Sequence, residues 1–174
     1  MTLRIMRCSA RRAEELREPL IELLRDAVDS AGSVGFLPPL EPDEARAYWR
    51  SVEGALGSGH RELLVAEVDG AVVGAVQLEL AWQPNGRHRA EVMKLLVRTT
   101  ARRRGIGGAL MREVEDLARG HGRTLLVLDT LAGDGGEQLY PRLGYVRVGA
   151  IPGYARTPRG LEATVVFYKV LPAS

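Results

Sequence analysis

Residues Glu91 to Met111, EVMKLLVRTTARRRGIGGALM, pass from an apolar strand through a polar loop into a helix. The strand ends at Val97, and Arg102-Arg103-Arg104-Gly105-Ile106-Gly107-Gly108 opens the helix. Glycines there let the backbone approach a bulky anion, and the first N–H groups of a helix have no internal partners. Together with the helix dipole they make a phosphate cradle, to which Arg102, Arg103 and Arg104 add charge. A dinucleotide fingerprint would need glycine where Leu110 stands, and a P-loop would need Lys followed by Ser or Thr; neither pattern is met. Taken alone, the glycines fit a tight turn and the arginines a solvated face equally well.

Outward from this stretch, the spacing of apolar residues predicts eleven elements in the order β-α-α-β-β-β-α-β-α-β-β. Leu3 to Cys8 reads as a strand. A helix over Ala13 to Val28 carries Leu16, Leu20, Leu23, Leu24 and Ala27 on one face, and a Gly/Pro loop covers Ala31 to Leu40. Pro42 opens a second helix. Leu63 to Val68 and Ala71 to Trp82 form strands around the tight turn Asp69-Gly70, and His88 to Val97 is the next strand. After the helix from about Arg104 to Arg119 come a buried strand at Thr124 to Leu131, a short helix at Glu137 to Leu143 and a strand at Tyr145 to Val148. A bend from Ile151 to Gly160 precedes the last strand, Ala163 to Val170. The expected fold is one α+β domain over residues 1–174 with a mixed, mostly antiparallel sheet.

Composition narrows the function. The 174 residues suit one domain, and a net charge of +2 with scattered arginines does not describe a nucleic-acid surface. Cys8 is the only cysteine, which excludes an intrachain disulfide and a cysteine metal site. His60, His88 and His121 lack metal-ligand spacing, so no metal is expected. No signal-peptide run occupies Met1 to Leu20, and the longest apolar stretch is too short to span a bilayer. The expectation is a cytoplasmic protein without nucleic-acid or membrane partners, as a monomer or homodimer.

The cradle, read with its neighbours, resembles the GCN5-related N-acetyltransferase (GNAT) superfamily. Arg102-x-x-Gly105-x-Gly107 matches that family's cofactor signature. Ala90 to Val97 looks like its fourth strand and Thr124 to Thr130 like its fifth. Gln138-Leu139-Tyr140-Pro141-Arg142-Leu143-Gly144-Tyr145 resembles its "FY-x-x-x-GF" segment. The resemblance implies that the fourth and fifth strands splay apart around acetyl-CoA. The pantetheine would pair with the backbone around Leu95, Leu96 and Val97, and the pyrophosphate would rest on N–H groups between Arg103 and Gly108, Ile106 included. It also implies that Tyr140 is the general acid near the thioester sulfur.

Three carboxylates compete as general base. The resemblance matches Glu91 to the base of the histone-acetylating branch, Glu79 lies on the neighbouring strand, and Asp129 ends an apolar strand where unpaired burial would be costly. Gln83-Pro84-Asn85-Gly86, His88-Arg89-Ala90-Glu91-Val92, Leu128-Asp129-Thr130 and Gly149 to Ala155 further resemble the tabtoxin-resistance branch. That branch acetylates a small amino-acid-like toxin, with Asp129 and Tyr140 matching its catalytic pair. The expected activity is therefore acetyl transfer to a primary amine of a small molecule, with Phe36, Glu79, Trp82 and Tyr154 toward the acceptor. The alternatives are a protein N-terminal or lysine acetyltransferase and a non-catalytic acyl-CoA-binding sensor.

Overall fold

Alternation along one strand sets the plan of the molecule. In the computed structural model, which describes residues 1–172, strand β2 (Arg61–Val68) sends Leu63 and Val65 into one apolar cluster and Leu64 and Ala66 into another. That is the two-residue period of a strand buried on both faces. The first cluster is closed by helices α1 (Ala10–Glu15), α2 (Arg17–Asp29) and α3 (Pro42–Gly57), with Trp49 at its centre. Helices α4 (Ile106–Gly120) and α5 (Gly135–Arg142) close the second, which holds Leu110, Met111, Val114 and Tyr140.

The remaining strands are β1 (Leu3–Arg7), β3 (Ala71–Leu80), β4 (Arg89–Val97), β5 (Leu125–Leu131), β6 (Val146–Thr157) and β7 (Gly160–Val170). They form one seven-stranded sheet in the order β1-β2-β3-β4-β5-β7-β6. Every neighbouring pair is antiparallel except β4 and β5, which run parallel across the α4 crossover. The α+β class and the mixed sheet expected from sequence are what the chain adopts.

Two elements differ from the sequence reading. The helix expected over Ala13 to Val28 is two helices: Ser9 caps α1 by accepting from the Arg12 N–H at 3.1 Å, and the chain leaves helical geometry at Leu16. The break lets both pieces bury an apolar side, Ala13 on one and Leu20, Ile21, Leu23 and Leu24 on the other. The bend expected from Ile151 to Gly160 is largely strand. Between the pairs Ile151↔Thr164 and Ala155↔Glu162, three residues of β6 face one of β7. Pro152, which has no N–H to donate, and Gly153, at φ 62°, sit in that bulge, so pairing with β7 continues past them.

One glycine fixes how closely α4 approaches the sheet. A Cβ on Gly74 of β3 would lie 3.0 Å from Leu110 Cδ1 and 3.0 Å from the Leu96 carbonyl oxygen. The first turn of α4 therefore rests on bare backbone, and the backbone atom cannot yield as a side chain does. Gly74→Val is expected to destabilise the protein by about 1–3 kcal/mol, the usual cost of overpacking, measured as a lower urea midpoint at unchanged slope.

Candidate active site

Strands β4 and β5 are paired only through Arg89↔Leu125, Ala90↔Leu126 and Glu91↔Val127. Beyond Glu91 they part. Each keeps its outer neighbour: β4 follows β3 to Val97, with the Arg98 N–H donating to the Val73 carbonyl at 2.8 Å, and β5 follows β7 along its whole length. The β4–β3 register shifts between Met93 and Leu96, where Lys94 takes a left-handed backbone conformation (φ 52°). This is a β-bulge next to an open strand edge, a place where bulges re-aim side chains. Two cavities fill the fork, of about 790 and 500 Å³, and they share walls at Val34, Leu95, Thr130, Asp134 and Tyr140.

The larger cavity runs along Leu95, Leu96 and Val97 to Arg102, Arg103, Gly105, Ile106, Gly107 and Gly108. Gly105 precedes α4 in the left-handed region (φ 78°), as does Arg103 (φ 61°), so the loop turns sharply into the helix start. The first backbone bond of α4 runs from the Ala109 N–H to the Gly105 carbonyl at 3.0 Å. The N–H groups of Ile106, Gly107 and Gly108 precede that bond and are left for an outside acceptor. Arg102 is differently employed. It donates to the Val97 carbonyl at 3.2 Å and to Ser30 Oγ at 3.0 Å, tying the loop to β4 and the end of α2. The Thr99 N–H and hydroxyl both donate to Asp26, at 2.8 and 2.7 Å, and pin the same loop. Arg104 does not line the cavity; Arg142 of α5, which sequence reasoning passed over, does.

The smaller cavity is lined by Phe36, Glu91, Lys94, Asp129, Tyr140, Tyr154 and the Ser33–Leu37 loop. Asp129 is exposed to it rather than buried, so the burial argument for this residue does not hold. Its Oδ2 accepts from the Thr164 hydroxyl at 2.8 Å. Glu91 also opens into the cavity, but enclosure by protein and then the charges of Asp129 and Glu79 raise its pKa. Tyr140 is buried at 6% exposure, its ring packed on Phe167 and Tyr145 at 5.6 and 5.7 Å. Burial, reinforced by Asp134 and Asp129, pushes its hydroxyl well above the usual phenol range. Gly136 makes room for it: a Cβ there would lie 2.7 Å from Thr130 Oγ1 and 3.0 Å from Tyr140 Cε2.

Two residues expected at the acceptor are not on the cavity wall. Trp82 follows β3, is 60% exposed and lies beside the His60 ring at 6.4 Å. Glu79 is held by Arg61 at 2.5 Å and reaches the site only through its field, opposite Glu91 in the ladder. Lys94 is the reverse case. It lines the cavity, although the sequence alone assigned it no role. Its signal, a bulge with positive φ at a non-glycine residue, exists only in three dimensions.

The family model described as Acetyltransferase (GNAT) family matches residues 21–145, and the chain belongs to that family. Rat N-acetyltransferase 8 is 38% identical over 87 residues, covering 49% of this chain and 39% of that protein; the chain thus spans about two fifths of that curated relative. An N-acetyltransferase from Staphylococcus aureus Mu50 superposes with a TM-score of 0.82 at 18% identity, covering 99% of this chain and 100% of that one. A Salmonella typhimurium protein solved with its cofactor acetyl-CoA gives 0.80 at 17% identity, covering 100% of this chain and 96% of that one. At these identities the two structures speak for the fold.

The cradle makes a direct prediction. A Cβ on Gly107 meets only ordinary contacts, Leu139 Cδ2 at 3.6 Å and Val97 Cγ2 at 3.8 Å, so Gly107→Asp can fold while placing a carboxylate among the free amides. Calorimetry is expected to show loss of acetyl-CoA binding in Gly107→Asp and a decrease of about tenfold or less in Arg103→Ala, where backbone donors remain. Wild-type affinity in a folded Gly107→Asp protein would remove the cradle from the account.

Proposed function

We propose that the chain is an N-acetyltransferase moving acetyl from acetyl-CoA to the primary amine of a small molecule. The observation that carries this reading is the meeting of two unlike cavities at Leu95, Thr130 and Tyr140. One offers free helix amides, Arg103 and Arg142 to a polyphosphate; the other offers carboxylates to an amine. Acetyl-CoA supplies an activated thioester carbon. In this reading the free edge of β4 at Leu95 to Val97 holds the pantetheine, and Ile106 to Gly108 hold the pyrophosphate. The smaller cavity, about 500 Å³ and lined by the Ser33–Leu37 loop and Tyr154, has a volume suited to a small acceptor.

The chain's own residues divide the proton work. Asp129, next to Thr130 at the junction, takes a proton from the substrate ammonium so that the nitrogen lone pair attacks the thioester carbon. As the C–N bond forms and the C–S bond breaks, the Tyr140 hydroxyl gives its proton to the departing thiolate. Its raised pKa keeps that hydroxyl protonated through the neutral range. The acylated nitrogen gives up its second proton to the Tyr140 phenolate, restoring the acid, and Asp129 passes its proton to water, so each turnover releases one proton to solvent. Glu91 is the competing base, and its raised pKa would set an acidic limb above the ordinary carboxylate range. Cys8 takes no part: it is buried away from both cavities, and burial pushes its thiol up to about 11.

Likeness to the tabtoxin-resistance branch at Leu128-Asp129-Thr130 and Gly149 to Ala155 supports an amino-acid-like toxin or antibiotic as acceptor. Location in the cytoplasm and action as a monomer or homodimer belong to the same reading. Among the described residues no helix is long and apolar enough to cross a membrane.

Thiol release with acetyl-CoA and a panel of amines tests the proposal; binding without any amine-dependent release would favour an acyl-CoA sensor. Tyr140→Phe is expected to lower kcat by about a hundredfold to ten-thousandfold, with little change in acetyl-CoA affinity. A kcat within about twofold, with chemistry limiting, would exclude Tyr140 as the acid, because general acid help exceeds that. Asp129→Asn is expected to abolish the acidic limb. If Glu91→Gln does so instead, Glu91 is the base. Cys8→Ser is expected to retain wild-type kcat.

A further inference from the structure

The proposed transfer uses carboxylates and a phenol, yet the smaller cavity also holds a cation built into its wall. Lys94 Nζ stands 5.9 Å from the centroid of the Tyr48 ring. It lies so close to Gly35 that a Cβ there would be 2.9 Å from it. Tyr48 is itself held in place. Gln77, wholly buried on β3, donates to the Tyr48 hydroxyl at 2.9 Å, and Phe36 packs edge-on against the ring at 5.2 Å. The ammonium thus rests in a prepared seat of aromatic face and bare backbone.

What the seat lacks is an anion. Among the described residues, Asp129 and Glu91 act on Lys94 through their fields, without an ion pair or a hydrogen bond to it. The chain's other lysine shows the contrast: Lys169 is half-buried to a similar degree and is paired with Glu115 at 2.8 Å and the Leu143 carbonyl at 2.7 Å. A half-buried ammonium without a partner is costly, and burial accordingly pulls the pKa of Lys94 down. An anion arriving in the cavity would relieve that cost. Arg156, exposed on β6, adds a second positive charge to the same wall. The cavity therefore offers carboxylates at Asp129 and Glu91 together with cations at Lys94 and Arg156, a pattern complementary to a zwitterion.

We infer that Lys94 is the anion-recognising residue of the acceptor site, and that the acceptor is an amine carrying a carboxylate or comparable anionic group, as in an amino acid or its close analogue. This rests on the acetyltransferase reading only for what happens to the amine. The anion would sit against Lys94 with its amine turned toward Asp129 and the Tyr140 junction.

The test compares free amino acids with their methyl esters and with the corresponding decarboxylated amines. Binding is followed by calorimetry in the presence of CoA, and turnover by thiol release with acetyl-CoA. The wild-type protein is expected to favour the free carboxylate by about 10- to 100-fold in Kd and kcat/KM, the range of one charged hydrogen bond. Lys94→Met, which keeps the length and apolar stem, is expected to abolish that preference with acetyl-CoA affinity within twofold of wild type; Lys94→Arg is expected to restore part of it. Equal losses for the carboxylate and ester forms in Lys94→Met would overturn the inference and leave Lys94 as a neutraliser of Asp129 and Glu91. A wild-type protein that uses the decarboxylated amines as well as the amino acids would also overturn it, leaving acetyl transfer intact. Lys94-dependent binding of amino acids without any thiol release would sustain the anion seat and overturn the acetyltransferase reading instead.

Discussion

Three rungs of parallel ladder join β4 to β5, and then the two strands separate while each stays bonded to its outer neighbour. Backbone donors and acceptors on the parted edges need partners, as buried peptide groups generally do. The other edge of each strand is already paired, β4 with β3 and β5 with β7, so the sheet positions both strands through their outer edges. The fork is therefore held open by bonds outside it. The bulge at Lys94 and the packing of Tyr140 against Phe167 of β7 fix its two sides. The cradle, both cavities and every residue given a chemical role are arranged around this opening.

Rigidity on either face makes such an opening tolerable. One apolar cluster under α1 to α3 and another under α4 and α5 bury β2 and β3 from both sides. The loops that line the fork are pinned to this frame by a few polar contacts, chiefly Asp26 with Thr99 and Arg102 with Ser30. Arg102 illustrates the division of labour within the glycine-rich motif. Its charge suggests an anion contact, but its hydrogen bonds shape the loop, and the free amides that follow are the groups left to meet an anion.

Much of the fold was legible because its signals are local. Apolar periodicity marked the strands and α4, Asp69-Gly70 marked the β2–β3 turn, and Gly105 marked the start of α4, where a left-handed residue is required. Tyr140, Asp129 and Glu91 were legible as candidates, and the fold gathers all three on one cavity. The failures share a physical cause. Pairing with β7 carried β6 through Pro152 and Gly153, overriding local turn chemistry. Trp82 looked like an acceptor contact from its place after β3, but the strand delivers it to the surface. Lys94 could not be found by spacing, because its position depends on a bulge and on Tyr48 and Gly35 from another part of the chain.

The central claim is geometric: donor and acceptor approach from opposite sides of the fork and meet at Tyr140. The most direct measurement is a crystal structure with a non-hydrolysable thioether analogue of acetyl-CoA. The account predicts its pyrophosphate on the amides of Ile106 to Gly108, its pantetheine along Leu95 to Val97, and its sulfur within about 3.5 Å of the Tyr140 hydroxyl, hydrogen-bonding range for a weak sulfur acceptor. An analogue bound outside the fork, or a sulfur on the far side of β4 from Tyr140, would contradict it.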